Sequence, residues 1–88
     1  MSGKGVEKDL VEAARYYKLS ADQGNSDAQY SYGLCLENGT GVEKDLVEAA
    51  RYYKLSADQG NSYGQFLYGS CLVSGKGVAE DLVEAARY

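Results

Sequence analysis

Three observations predict an all-α fold built as an array of helical repeats. The first is repetition. The segment from Gly5 to Ser26 recurs unchanged from Gly41 to Ser62, and a third copy starts at Gly77. Gly3-Lys4-Gly5-Val6, Gly39-Thr40-Gly41-Val42 and Gly75-Lys76-Gly77-Val78 stand 36 residues apart. A period of this size marks an array whose units bury their apolar faces against one another. The second is periodicity. Leu46, Ala49, Ala50, Tyr53 and Ala57 fall at i, i+3, i+4, i+7 and i+11, one face of a helix. The third is what the chain lacks: no segment alternates with period two, so no sheet is expected.

The elements follow in order. In the middle copy Gly39-Thr40-Gly41 is a turn. Asp45 is the expected N-cap of a longer helix, with Glu48 as its capping-box partner. Gly60 ends that helix as a C-cap glycine. The first copy repeats the pattern from Asp9 to Gly24. A shorter helix follows each Gly-Asn-Ser, capped by Asn25 or Ser26, with Gln29 reaching back if Ser26 is the cap. Ala28, Tyr32, Cys35 and Leu36 share its inner face; Gly64, Tyr68, Cys71 and Leu72 repeat that face. Gly33 and Gly69 lie inside these helices at a cost of about 1 kcal/mol each relative to Ala. Close approach of the paired helix, through Ala49, Ala50 and Ala57, is the expected reason. The order is long, short, long, short and a truncated long helix ending at Tyr88. Residues 1–88 therefore form one array with units 3–38, 39–74 and a partial 75–88. Two full units are few, because about three are usually needed for stability. The chain is expected to be a piece of a longer array or to pack on another copy.

Composition excludes several functions. The net charge is −4 and the basic residues form no stripe, so nucleic acid is not an expected partner. No apolar run is long enough to span a membrane, and Met1-Ser2-Gly3-Lys4 begins no signal peptide. The default compartment is the cytoplasm. Cys35 and Cys71 hold equivalent positions in adjacent repeats. Stacked helices hold such positions about 8–10 Å apart, beyond the ~7 Å Cα limit for a disulfide. Both are expected to be buried, reduced and apolar in character. With no histidine in the chain, no metal-ligand set and no nucleophile–base pair is visible. No catalytic residue, cofactor or metal site is expected, and the chain is read as a non-enzyme.

Other motifs have ordinary explanations. The Gly-x-Gly turns lack the third glycine and preceding strand of a phosphate loop. The carboxylates Glu7, Asp9 and Glu12, and their copies Glu43, Asp45 and Glu48, suit a helix N-terminus rather than an acid/base pair. Asn38-Gly39-Thr40 is a formal glycosylation sequon with nothing to direct it to a secretory route. Tyr16-Tyr17-Lys18-Leu19 and its copy at Tyr52 look like sorting signals, but helical packing explains them.

Ala28, Tyr32-Gly33, Leu36, Gly39-x-Gly41-Val42, Asp45, Ala49, Tyr52-Tyr53, Ser56-Ala57 and Gly60 together resemble the Sel1-like repeat, a relative of the tetratricopeptide repeat. The departures are local. Tyr32 and Tyr68 stand where that family usually has Leu, and Leu36 and Leu72 where it has Tyr. Tyr52 replaces a frequent Trp, and Ser56 and Gly64 replace Ala. The resemblance implies an α-solenoid of antiparallel helix pairs, a superhelix like that of tetratricopeptide repeats, with the shorter helix on the concave side and the longer on the convex side. It also implies an adaptor that holds other proteins together.

Two features suggest where a partner would bind. The full units differ at eight positions, and seven of these lie on the shorter helix or its edge. Tyr30, Ser31 and Leu34, with Phe66, Leu67 and Ser70, are the candidate concave contacts, with aromatic and apolar anchors of the kind that dominate interfaces. Leu19 and Leu55 project from the otherwise polar side of the longer helix and could form a convex contact. The expected function is a protein-binding scaffold. The alternative is a purely structural module that forms homo-oligomers end to end or face to face.

Overall fold

The structure, a computed structural model, describes residues 3–88, with side chains from Asp9 onward. Five helices follow one another: α1 Gly3–Asp22, α2 Ser26–Asn38, α3 Leu46–Asp58, α4 Ser62–Ser74 and α5 Leu82–Ala85. There is no strand among the described residues. The helices stack into an elongated array of 47 × 24 × 17 Å. Each packs on the next, and α2 also packs on α4.

The caps explain the helix ends. Asn25 and Asn61 cap α2 and α4, their Oδ1 atoms accepting from Ala28 N at 2.8 Å and Gly64 N at 3.0 Å. Asp45 and Asp81 cap α3 and α5 in the same way. Each substitution of such a cap by Ala typically costs about 1 kcal/mol. Gly60, at φ +86°, closes α3. Its N–H bonds Ala57 O at 2.9 Å, and Asn61 N bonds Ser56 O at 3.3 Å, the paired bonds of a Schellman end. Gly39 closes α2 at φ +69°.

Several local expectations change. The capping box is half formed: Glu48 does not reach back but pairs with Arg51 at 2.8 Å. Asn25 rather than Ser26 is the α2 cap, so Gln29 has no reach-back role; it is buried and donates to Ala21 O. Helices α2, α3 and α4 each have 13 residues, so the long–short distinction is lost. The largest difference is in α1, which starts at Gly3 rather than after an Asp9 cap. The reason lies in the glycine turn. Gly39 caps α2, and Gly41 rests on the Leu10 carbonyl of α1. At Gly3 and Gly5 that turn does not form, and the backbone is helical through Asp9. The side chains of Lys4 and Glu7 and the residues Met1-Ser2 lie outside the described set.

The core is aromatic and small-residue in character. Ala49, Ala50, Tyr52, Tyr53, Ser56 and Ala57 are buried along α3. They meet Ala28, Tyr32, Cys35 and Leu36 of α2 on one side and Tyr68, Cys71 and Leu72 of α4 on the other. Leu46 is only half-buried. Gly33 is glycine because a Cβ there would lie 2.5 Å from the Tyr53 ring and 3.2 Å from Ala49 O. Close approach is therefore the reason, but the large Tyr53 causes it as much as the alanines do. Gly69 is under less pressure, its virtual Cβ lying 3.4 Å from Tyr88 Cβ. Tyr32 meets Tyr52 edge to face at 4.9 Å, and Tyr68 meets Tyr88 the same way at 5.1 Å.

Polar bonds tie one unit to the next. Tyr52 donates to Asp22 at 2.9 Å, and Ser56 to Ser26 O at 2.8 Å. Gln59 donates to Gln29 at 2.7 Å, and Asn61 to Asp27 at 2.7 Å. Tyr53, fully buried, donates to Glu37 Oε1 at 2.6 Å. Lys76 holds the other Glu37 oxygen at 3.0 Å. Among the described residues no buried polar side-chain atom lacks a partner, as a well-specified core requires.

Glu37 makes the array acid-sensitive. Its carboxyl is held below the ordinary value of 4.5, chiefly by the Tyr53 hydroxyl and then by Lys76, against the opposing effect of burial. A depressed carboxylate stabilises the fold above its unfolded pKa, and that stabilisation is lost as pH falls through the folded value. Stability should therefore decline below pH 4.5. Urea titrations across that range should show a flatter decline for Glu37→Gln; an unchanged slope would assign the acid sensitivity to other groups.

Candidate partner-binding surface

The six candidate contacts lie on α2 and α4 but do not form one patch. Tyr30 is half-buried, its ring 5.4 Å from Tyr63 at a 34° tilt. Tyr63 was not among the sequence-derived candidates. It differs from Asp27 of the first unit, and that difference was the available signal. Leu34 and Leu67 are half-buried and pack against the core. Ser31 is half-buried, whereas Ser70 is exposed. Phe66 is 70% exposed, a large value for an aromatic side chain.

Two separate hollows divide these residues. Ser31 and Leu34 line one of about 240 Å³ with Tyr17, Cys35, Asn38 and Thr40. Phe66 and Ser70 line another of about 440 Å³ with Ser62, Gly69, Val73 and Tyr88. The first lies where α1 meets α2, the second where α4 meets α5. Helix α4 carries no charged residue, and it exposes Tyr63, Phe66 and Val73. An uncharged helix with three exposed apolar side chains is suited to an apolar ligand surface.

Leu19 on α1 and Leu55 on α3 are exposed, at 52% and 39%. They stand among the ion pairs Lys18–Asp22 at 2.9 Å and Lys54–Asp58 at 3.0 Å. Asp22 is held below the usual carboxylate range by Lys18 first and then by the Tyr52 hydroxyl. Exposed pairs of this kind contribute little stability, typically about 0–1 kcal/mol.

The residues considered for chemistry have structural roles. Cys35 and Cys71 are free and buried, and burial pushes both thiols up. Asp45 is a helix cap and Glu48 an ion-pair partner. No cluster of three metal-ligating side chains occurs among the described residues. No helix among them is long and apolar enough to cross a membrane.

Stacked helix pairs, repeated caps and repeated Tyr–Tyr contacts define a helical-repeat protein. The family model described as "Sel1 repeat" matches residues 1–25, 26–61 and 62–88. The chain belongs to the Sel1 repeat family. The matched unit 26–61 starts at a cap-to-helix step and joins α2 to α3, so it cuts the 36-residue period at a different point from the turn. Three solved structures are similar. A Sel1 repeat protein from Oxalobacter formigenes is 34% identical with a TM-score of 0.85, over 88% of this chain and 32% of that one. The protective antigen c5321 of uropathogenic Escherichia coli, described as displaying an SLR fold, is also 34% identical with a TM-score of 0.85, over 88% of this chain and 16% of that one. The cysteine-rich protein B of Helicobacter pylori is 26% identical with a TM-score of 0.83, over 86% of this chain and 57% of that one. The chain thus spans about a third or less of the first two. Comparison with curated proteins gives no match. Sel1 repeats are in general protein–protein interaction modules.

Proposed function

We propose that the chain is a scaffold module that binds a protein segment along the concave surface made by α2 and α4. The observation that carries this reading is α4 itself: uncharged, divergent from α2 in sequence, and exposing Phe66 at 70%. The invariant half of the repeat supplies Tyr52, Tyr53, Ser56, Gln59 and Asn61 to the stacking contacts, and of the divergent positions Asp27 and Glu37 join them. The divergent pairs Tyr30/Phe66, Ser31/Leu67 and Leu34/Ser70 take no part in those bonds and have the freedom to fit a ligand. The fitting ligand is a peptide with apolar or aromatic anchors that enter the hollows beside Leu34 and Phe66. The acidic balance of the chain, −4 overall, favours a protein over a nucleic acid.

The test is a triple substitution, Tyr30→Ala, Phe66→Ala and Leu67→Ala, assayed against a displayed peptide library. Selected peptides should lose at least about tenfold in affinity, as anchor removal typically produces, with helicity unchanged. Leu19→Ala with Leu55→Ala is the comparison. If that pair abolishes binding and the triple variant does not, the contact lies on the convex side and the proposal fails.

A further inference from the structure

Helices α2 and α4 meet along a seam inside the array, with α3 packed against both. At the end where both helices begin, the seam carries an aromatic pair. The Tyr30 and Tyr63 rings stand 5.4 Å apart at a 34° tilt. Tyr63 is 64% exposed and Tyr30 half-buried, so part of each ring faces solvent. Asp27 stands three residues before Tyr30, on the same side of α2. Its Oδ1 accepts from Asn61 at 2.7 Å, and Asn61 caps α4 just ahead of Tyr63. That bond holds the carboxylate at the aromatic end of the seam. Helices α2 and α4 carry two acidic residues, Asp27 and Glu37, and no basic one. Glu37 is occupied by Tyr53 and Lys76. Asp27 has no cationic partner among the described residues. Asp27 and Tyr63 hold equivalent positions of the two units. The carboxylate and the second ring come together only because the units differ there.

We propose that this end of the seam binds an arginine side chain of the client segment. The arginine site rests on the concave reading of the proposed function and specifies what the client carries. The chain already contains the same chemistry with its cation in place. The Arg51 guanidinium lies 4.6 Å from the centre of the Tyr52 ring and pairs with Glu48 at 2.8 Å. One guanidinium thus takes a tyrosine face and a carboxylate together. Tyr63 and Asp27 offer those two groups, with Tyr30 as a second ring. No basic side chain lies over either ring among the described residues. A planar guanidinium stacks on an aromatic ring and forks onto a carboxylate, which an ammonium cannot do in one geometry. The chain's net charge of −4 draws in a cation rather than an anion. Asp27 has a further effect. Partial positive charge at the starts of α2 and α4 opposes a cation, and the carboxylate offsets it. The preference for arginine therefore depends on Asp27. Leu34 and Leu67, half-buried farther along the same helices, supply apolar contact for the residues that flank the arginine.

The experiment is an NMR titration of the isotope-labelled full chain with N-acetyl-arginine methylamide and with its neutral isostere, N-acetyl-citrulline methylamide. The arginine probe should shift the Tyr30, Tyr63 and Gly64 backbone amides saturably. It should bind about tenfold more tightly than the citrulline probe. Asp27→Asn keeps an oxygen for Asn61 and should reduce that preference to about twofold or less. Tyr63→Leu, at an exposed position, should weaken the arginine probe several-fold with the thermal midpoint unchanged. Equal binding of the two probes, or an arginine preference that survives Asp27→Asn, would overturn the proposal. So would shifts that follow the exposed carboxylates Glu43, Asp45 and Glu80 instead, since those report net charge alone. The broader reading fails separately, when library-selected peptides bind the triple variant normally. Selected peptides that lose affinity in the triple variant but contain no arginine would leave the concave surface standing and sink the arginine site.

Discussion

Tyr53→Ala is expected to destabilise the fold by about 3–5 kcal/mol, the range for losing a buried aromatic side chain. A small domain has roughly 5–15 kcal/mol in total, so the variant should be largely unfolded in mild denaturant. Tyr53 is fully buried, between α2 and α4. Its ring fills the space above Gly33, where the absence of a Cβ was needed to admit it. Truncation leaves that space empty from both sides. It also removes a donor from the half-buried Glu37 carboxylate, which then keeps only Lys76. Tyr53→Phe separates the two effects: the ring stays and the hydrogen bond goes, for about 1–2 kcal/mol. The phenol pKa, pushed up by burial and then by Glu37, keeps the hydroxyl a donor throughout the neutral range. Tyr17 supplies an internal control, because it has the same sequence neighbours but is 43% exposed. Urea midpoints should place Tyr17→Ala well above Tyr53→Ala. Equal midpoints would show that Tyr53 is not the central packing residue.

Much of this arrangement was legible because repetition shows each contact twice. The helix order, the Asp45 cap and the buried Ala49, Ala50, Tyr53 and Ala57 follow from spacing. Tyr52 and Ser56 were harder to place. Both lie at the margin of the helical stripe, and each is held partly by the preceding unit, Tyr52 through Tyr32 and Asp22 and Ser56 through Ser26. A single helical wheel cannot show that second neighbour. The departures from the family pattern have the same origin. Tyr32 and Tyr52 look like independent exchanges in sequence, yet they form one edge-to-face contact. Ser56 and Gly64 are coupled too. Ser56 donates to Ser26 O, and a Cβ on Gly64 would lie 2.6 Å from Ser56 Cβ. A hydroxymethyl group on one helix thus goes with a glycine on the other. The candidate surface was less legible than the core. Sequence divergence located the helices α2 and α4, but not which side chains emerge from the stack. Leu34 and Leu67 turned partly inward, while Tyr63 joined Tyr30.

Gly41→Ala should cost about 2–4 kcal/mol, whereas Gly5→Ala, at the same repeat position, should be neutral or stabilising by up to about 1 kcal/mol. Gly41 has φ +74°, a conformation that an L-residue adopts only at a cost. A Cβ there would also run into the carbonyl oxygen of Leu10 and lie 2.6 Å from its carbonyl carbon. These are backbone atoms inside α1, and they cannot rotate away. The turn would have to lift off α1, loosening the entry into α3. Gly39, at φ +69°, gives the intermediate case. Its nearest neighbour would be Lys44 Cβ at an ordinary 3.5 Å. Gly39→Ala therefore meets only the backbone cost, about 1–2 kcal/mol, and Gly39→Asn still less. Gly5 lies inside α1 with helical backbone, where alanine is the better residue. One substitution type at three positions should thus give three different thermal midpoints. If Gly5→Ala lowered the midpoint as much as Gly41→Ala, the first copy would form the turn after all, and α1 would begin at Asp9.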